Sequence, residues 1–482
     1  MLAVMAAAAA APAAGEVTFV SGPTVNGEQA GVRVAFAVNE PTDAEVAILD
    51  AKGQVVRHLA AGMLGQAPLV PLRAGAVKPP PASTNPLAVS LLWDRTDDDG
   101  KPVAGPVEVR VRLGLAPKLE KVLGFDGNAL TNILGLAVNA KGEVFVLTGE
   151  STYGRTLLRV LDRNGKYLRT VMPYSAAVCA TRAAPMGQLR LDGRPIPIVY
   201  NAHGHNLLPM NSGMKHQNMI VLPNGTLVLA SAVGTIVEHA PMRHLLAIAP
   251  DGGAPEGMAF IGPDIRKPIG MLGGTGEGGS RFFDHLAASP DGQTLYYSTW
   301  SDSRVAKPQH VVYRLKWTDA ELGEPFLGEK DKPGDDDQHF NSPQGLAVDA
   351  RGRLYVCDHG NNRVVVFTPD GRPAGKFTVP DPEQIAVHPK TGAIFIVSRK
   401  QGRRVDAYTL RAFSAFDGAA AKELASLDAK ASWAVMALDP SAADARLWIG
   451  HRSQLFPVTF DGTRLTAGAD VVSRLGFVYP MF

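Results

Sequence analysis

Residues 341–371 read Asn341-Ser342-Pro343-Gln344-Gly345-Leu346-Ala347-Val348-Asp349, Ala350-Arg351-Gly352-Arg353, Leu354-Tyr355-Val356-Cys357-Asp358, His359-Gly360-Asn361-Asn362, Arg363-Val364-Val365-Val366-Phe367 and Thr368-Pro369-Asp370-Gly371. Three short apolar runs rich in β-branched and aromatic residues alternate with Gly, Asn and Asp clusters. That is the pattern of strand, turn, strand, turn, strand, turn. A fourth strand follows near Lys376-Phe377. One such sheet cannot hide both of its faces alone.

Working outward, the same frame recurs. Leu134 to Gly165 gives Gly135-Leu136-Ala137-Val138-Asn139, Val144-Phe145-Val146 and Leu158-Arg159-Val160-Leu161. His216 to Gly252 gives Met219-Ile220-Val221, Leu227-Val228-Leu229 and Leu245-Leu246-Ala247-Ile248. Phe283 to Trp317 gives Leu286-Ala287-Ala288, Leu295-Tyr296-Tyr297 and Val311-Val312-Tyr313, and Glu383–Leu410 and Trp433–Gly462 supply two more units. Stacking such units around an axis buries each face against the next and leaves few open edges. The expected fold is therefore all-β, with a six-bladed β-propeller over residues 117–482. Leu119-Glu120-Lys121-Val122-Leu123-Gly124-Phe125 is expected to complete the last blade. A seventh blade would have to lie within residues 173–214, which lack the repeat.

The unit at Asn341–Asp370 resembles an NHL repeat. It carries Pro-x-Gly-Leu-Ala-Val-Asp at Pro343–Asp349, and Asp358, Gly360, Asn361, Arg363 and Val364 in the family's second core. The resemblance implies that Asp358, Asn361 and Arg363 tie strands through local hydrogen bonds. The other units keep the hydrophobic frame and lose most of this polar signature.

Ahead of the repeats, Val32, Val34, Phe36 and Val38 are apolar at period two, the mark of a half-buried strand. Ala44–Asp50, Gln54–Leu59, Leu91–Asp94 and Gly105–Arg112 read as further strands, so residues 16–116 form a small antiparallel β-sandwich. Ile48-Leu49-Asp50, Gly53, Val56-Arg57, Trp93-Asp94, Asp97, Asp99, Gly100, Val103 and Val109-Arg110-Val111-Arg112 resemble the immunoglobulin-like domain of flagellar hook-capping proteins. Ala67 to Pro86 departs from that pattern and reads as an inserted loop. Residues 1–15, small and apolar with Ala11-Pro12-Ala13-Ala14 as a cleavage site, resemble the end of a secretory signal peptide. Export to the periplasm, cell surface or exterior is expected. No other stretch is long and apolar enough to span a bilayer.

The bulk numbers agree with two or three soluble domains. The chain has 482 residues, 45% hydrophobic and 20% charged, with Gly 50 and Pro 36 spread as turn formers. A net charge of +2 leaves no basic field for nucleic acid. Asp97–Asp99 and Asp335–Asp337 read as solvated loops. Cys179 and Cys357 form no Cys-x-x-Cys pair, which excludes a covalent c-type haem and a cysteine-ligated zinc site. They read as two buried thiols, with a disulfide between them as the alternative. A monomer is expected.

In a propeller the first strand of each blade runs along the axis, and its leading residues gather at one channel mouth. Aligning blades on Gly345 gathers Ile133 and Leu134, His216 and Gln217, Asp284 and His285, Gln344, Glu383 and Gln384, and Trp433. Residues 173–214 form a long inserted loop holding Tyr200, His203, His205 and Met210, expected to project over one face. Gln217, Gln344, Gln384, Trp433, His203 and His205 are candidate ligand-binding residues. His216, Asp284, His285 and Glu383 are candidate ligands for one divalent ion, zinc or calcium. The bland alternative is a wet channel whose polar groups bond water and one another. The peptidyl-hydroxyglycine amidating lyases are NHL propellers that hold a metal by axial histidines, so the resemblance also implies a metal-dependent lyase. Only His216 and His285 stand near the positions of that family's recurring histidines. The glycine-rich Gly273–Gly279 lacks the Lys-Ser/Thr of a phosphate loop and reads as a flexible loop. Arg399, Lys400, Arg403 and Arg404 read as a solvated basic turn.

Two functions follow. The first is an exported binding module for a peptide, glycan or protein. The second is a metal-dependent lyase or hydrolase at the channel mouth.

Overall fold

The computed structural model describes residues 17–65, 85–114, 127–149, 156–175, 177–178, 182, 188–191, 194–197, 216–217, 219–230, 244–265, 282–301, 309–399, 407–430, 434–441 and 444–472. The leader, most of the Ala67–Pro86 loop, Leu119–Phe125, Tyr200, Met210 and Gly273–Gly279 lie outside these residues. The chain divides into two compact units, Met1–Leu123 and Gly124–Phe482.

The first unit is a sandwich of two three-stranded antiparallel sheets. In one, Gly31–Val38 lies between Phe19–Glu28 and Ala88–Trp93; in the other, Asp43–Asp50 lies between Val55–Met63 and Val107–Leu113. Val34, Phe36, Val46, Ile48, Leu91 and Trp93 meet in one shared core. The strand Phe19–Glu28 was not expected from sequence. Its residues are mostly exposed, so it carries little hydrophobic periodicity to read. The acidic run at Asp97–Asp99 is a built turn. The Asp97 carboxylate accepts the amides of Asp99 and Lys101 at 2.9 and 2.8 Å, and Asp98 accepts the His58 amide and ring Nδ1 at 2.9 and 2.6 Å.

The second unit is a β-propeller. Its described residues hold six sheets of consecutive antiparallel strands: five are four-stranded, and the third gains a fifth, parallel strand, His216–Gln217. The first blade is Asn132–Val138, Val144–Gly149, Thr156–Leu161 and Tyr167–Met172; the second is Met219–Val221, Leu227–Ala230, His244–Ile248 and Ile261–Asp264. The third is Phe282–Ala288, Leu295–Ser301, Val311–Leu315 and Leu327–Gly328; the fourth is Pro343–Val348, Leu354–Asp358, Arg363–Phe367 and Pro373–Thr378. The fifth is Pro382–Val387, Ile394–Ser398, Tyr408–Phe413 and Glu423–Ala429; the sixth is Val435–Asp439, Ala445–His451, Gln454–Phe460 and Leu465–Ala467. Within residues 173–214, Gln188–Leu191 and Arg194–Pro197 pair as a hairpin.

The turns are written into the repeat. Asp349 Oδ1 accepts the amides of Arg351 and Arg353, both at 2.9 Å, while Gly352 takes φ +78°, a conformation in which a side chain is strained. Asn139 does the same for Lys141 and Glu143, with Gly142 at φ +78°. The polar residues that end and follow the second strand of the fourth blade act locally. Asp358 accepts from the Asn341 amide at 2.7 Å, Asn361 Nδ2 at 2.8 Å and Arg363 Nε at 2.7 Å. Arg363 also donates to the backbone carbonyls of Asp335, Asp336 and His339, so the second acidic run is clamped through its backbone.

Six apolar clusters follow one another around the ring, each shared by two neighbouring blades. Phe145 and Leu158 meet Leu229 and Ile248; Val228 and Leu245 meet Tyr297 and Tyr313; Tyr296 and Val312 meet Val356 and Phe367. Tyr355 and Val366 meet Ile396 and Phe413; Phe395 and Leu410 meet Leu447 and Val458; Trp448 and Val435 meet Ile133 and Val146. The last cluster joins the sixth blade to the first and closes the circle. The sixth sheet carries its own fourth strand, Leu465–Ala467. Its seam with the first blade adds an Ile133 amide bonded to the Arg452 carbonyl at 2.6 Å and Arg163 Nε 3.0 Å from the fully buried Asp439 carboxylate. That contact is ionic; Asp439 Oδ2 has no aligned hydrogen-bond donor among the described residues.

Inner strands approach closely where side chains are smallest. A Cβ on Gly345 would lie 2.7 Å from the Glu383 carbonyl oxygen and 2.8 Å from Gln384 Cα in the fifth blade. The glycine of the repeat thus sets the spacing of adjacent first strands. Gly345→Ala should lower unfolding stability by about 1–3 kcal/mol in a denaturant titration, as overpacking does. Gly323→Ala, where no atom lies within 4 Å of the new Cβ, should change it by less than about 0.5 kcal/mol.

Candidate functional site at the axial mouth

The first strands of blades three, four and five bring a buried polar arc to the end of the ring where those strands begin. Asp284, His285, Gln344, Glu383 and His359 are each at most 5% exposed. Two features of the backbone aim them. Blade three is regular here, with Asp284 opposite Thr299 and His285 opposite Ser298. Adjacent strand residues project to opposite faces, so Asp284 lies on the side of blade two and His285 on the side of blade four. Blades four and five instead carry bulges in the first strand, between Pro343 and Leu346 and between Pro382 and Gln384. Blade one has a third, between Ile133 and Gly135. Bulges turn a side chain out of the regular pleat, and here they fall at Gln344 and Glu383.

The carboxylates of the arc already have partners within the protein, one ionic and one through hydroxyl donors. Asp284 Oδ1 accepts from the Tyr297 hydroxyl at 2.6 Å and Thr299 Oγ1 at 2.9 Å. Glu383 takes Arg399 Nε at 2.5 Å, with the two side chains 3% and 12% exposed. Arg399 is therefore drawn inward from the basic turn read in the sequence, because a buried carboxylate needs a cation beside it. Lys400, Arg403 and Arg404 lie outside the described residues.

The neutral groups are left open. Neither ring nitrogen of His285 has a hydrogen-bond partner among the described residues, and neither does Gln344 Nε2 nor Ser398 Oγ. Ser298, opposite His285, donates to the Gln344 carbonyl at 2.6 Å, which ties blade three to blade four beside these open groups. His359 Nδ1 lies 3.2 Å from the Pro382 carbonyl. Burial pushes the His285 imidazole down to about 4, with Asp284 pulling the other way and His359 reinforcing the shift. His285 is thus an uncharged imidazole at neutral pH, able to donate one hydrogen bond and accept another.

The remaining candidates fall as follows. His216–Gln217 pairs in parallel with Phe283–Asp284, so the chain entering blade two lies beside the start of blade three. Gln384 bridges blades five and six, donating to the Ala434 carbonyl at 2.6 Å and accepting the Met436 amide at 3.0 Å. Trp433, His203 and His205 lie outside the described residues. Cys357 is free and buried, its thiol pushed well up by burial, and Cys179 lies outside the described residues. His359 and Arg399 were not among the candidates. Both directly follow the second strand of their blades, a position whose recurrence was the available signal.

Among the described residues no group of three or more His, Cys, Asp or Glu side chains is arranged to hold a metal ion. Asp284 and His285 diverge across their sheet, and Glu383 is occupied by Arg399.

Residues 340–367 match the family model of the NHL repeat. Among solved structures, virginiamycin B lyase from Staphylococcus aureus is 12% identical, over 72% of this chain and 85% of that one, at a TM-score of 0.34. A structural genomics protein of unknown function from Bacteroides thetaiotaomicron is 14% identical over 93% and 98%, at 0.36. The calcium-binding regucalcin from Agrobacterium tumefaciens is 14% identical over 58% and 86%, at 0.28. At such scores these likenesses bear on neither activity nor ligand.

Two outcomes are expected of the arc. The unfolded chain protonates His285 below its ordinary 6.5, while the folded chain does so only near 4. Folding stability should therefore fall as pH drops from about 6.5 toward 4, and His285→Gln should remove about one proton, roughly 1.4 kcal/mol per pH unit, from that slope in pH-dependent denaturant titrations. Glu383→Ala should cost about 3–5 kcal/mol of stability by stranding the Arg399 guanidinium, read in the same experiment at pH 7.

Proposed function

We propose that the protein is an exported binding module that holds a peptide, glycan or protein at the axial mouth between blades three and five. One observation carries this reading. His285, Gln344 and Ser398 present buried hydrogen-bonding atoms without partners among the described residues. Leaving such an atom unsatisfied costs about 1–3 kcal/mol, so a ligand that pairs with it recovers that loss. The neighbouring carboxylates already have partners within the protein: Arg399 is the counter-ion of Glu383, and the Tyr297 and Thr299 hydroxyls donate to Asp284. In this reading a ligand that uncovers these solvent-shielded atoms meets a neutral imidazole that both donates and accepts, a carboxamide N–H and a hydroxyl. Backbone amides and sugar hydroxyls complement that set; a strongly charged ligand does not. The sandwich unit serves as a spacer in this reading, and the leader-like residues 1–15 support export. No helix among the described residues is long and apolar enough to cross a membrane.

Peptide and glycan arrays test the proposal. A ligand class should bind the full chain after metal chelation. His285→Leu combined with Gln344→Leu should weaken that binding by about tenfold or more, about 1.4 kcal/mol. No binding on either array, or binding indifferent to both substitutions, would remove the mouth as the site. Elemental analysis showing about one divalent ion per chain, with binding abolished by chelation, would favour the metal-dependent lyase or hydrolase instead.

A further inference from the structure

A concavity lies between blades three and four, at the opposite end of the ring from the axial mouth. The turns that end their first strands, Ser289–Asp291 and Ala350–Gly352, border it, so it faces away from His285 and Gln344. Its volume is about 700 Å³, and its polar wall is formed by Tyr296, Arg314, Lys316, Asp319 and Arg351.

Three cations and two carboxylates line this cleft, and they are not paired with one another. Arg314, Lys316 and Arg351 have no carboxylate partner within 4.0 Å among the described residues. The carboxylates are committed to their own turns. Asp291 Oδ1 takes the Ser289 hydroxyl at 2.5 Å and the Gln293 amide at 3.0 Å, and Asp319 Oδ2 takes the Lys316 amide at 2.7 Å. Arg314 lies over the Phe326 ring, with its guanidinium carbon 3.9 Å from the ring centroid. A guanidinium held against a ring keeps N–H donors for a planar or tetrahedral oxyanion. Tyr296 supplies an independent sign. It is 3% exposed and lines the cleft, yet its hydroxyl has no hydrogen-bond partner among the described residues. That hydroxyl is not among the solvent-shielded atoms, so it opens onto the cleft, where it can serve an anion as a neutral donor.

We propose that this cleft binds the phosphate or carboxylate group of a small organic anion, held by Arg314, Lys316 and Arg351 with Tyr296 as donor. This goes beyond the axial site and does not depend on it.

Calorimetric titration of the full chain with inorganic phosphate, with glucuronate and with neutral glucose tests the assignment. At least one of the two anions should bind saturably at one site per chain, weakening as salt rises from about 50 to about 500 mM. Glucose should not bind. Arg314→Gln with Arg351→Gln should reduce affinity by about tenfold or more. These side chains are exposed, so the thermal midpoint should stay unchanged. Tyr296→Phe, which keeps the ring packing, should reduce affinity about threefold or more. Phosphate binding alone would point to a phosphorylated ligand, and preference for glucuronate to an acidic sugar. Absence of saturation by either anion up to about 10 mM, or binding unchanged in the double variant, would overturn the proposal.

Discussion

Everything in the second unit depends on each sheet having two apolar faces and only neighbours to cover them. Tyr296 and Tyr297 make the point within one strand: the first packs toward blade four and the second toward blade two. A sheet of this kind is insoluble alone, half covered in a stack, and fully covered only in a circle. The circle then dictates where polar chemistry can sit. The faces are committed to packing, so hydrogen-bonding groups collect at the two ends, where strands start or turns begin. The axial arc and the cationic cleft occupy those opposite ends.

The same constraint explains the bulges at the start of the first strands. A regular strand would place Gln344 and Glu383 by alternation, as it does Asp284 and His285. An extra residue at Pro343–Leu346 and at Pro382–Gln384 breaks the alternation just where the strands reach the mouth. Gly345 then lets the backbones of blades four and five approach. Loss of regularity and close backbone approach together build a dense polar arc beside the apolar seams between blades.

Much of the ring was legible in the residues. Asn341–Asp370 announces its strands because its turns use Asp and Gly in a fixed chemical role, visible again at Asn139 and Gly142. In blade two the three inner strands were legible, but the fourth, Ile261–Asp264, is four residues long and partly exposed, with no apolar run to mark it. Phe19–Glu28 was invisible because an exposed edge strand needs no hydrophobic alternation. At the mouth, aligning the blades gathered Asp284, His285, Gln344 and Glu383 at one end of the ring. It did not reveal that Asp284 and His285 face opposite ways, or that Arg399 turns inward to Glu383. Those facts arise from register, bulges and burial, which a one-dimensional alignment does not encode.

The seam between the sixth blade and the first has a temporal consequence. Every other shared core joins segments that follow one another in the chain, and these can condense as the polypeptide emerges from the ribosome. The cluster holding Ile133 and Val146 against Val435 and Trp448, with Arg163 beside Asp439, joins parts of the chain made at the two ends of synthesis of this unit. Until the final blade is translated, one whole face of the first stays bare and adhesive. A nascent chain stalled short of Val435 therefore exposes a sticky, strand-rich surface that chaperones or a second nascent copy can seize.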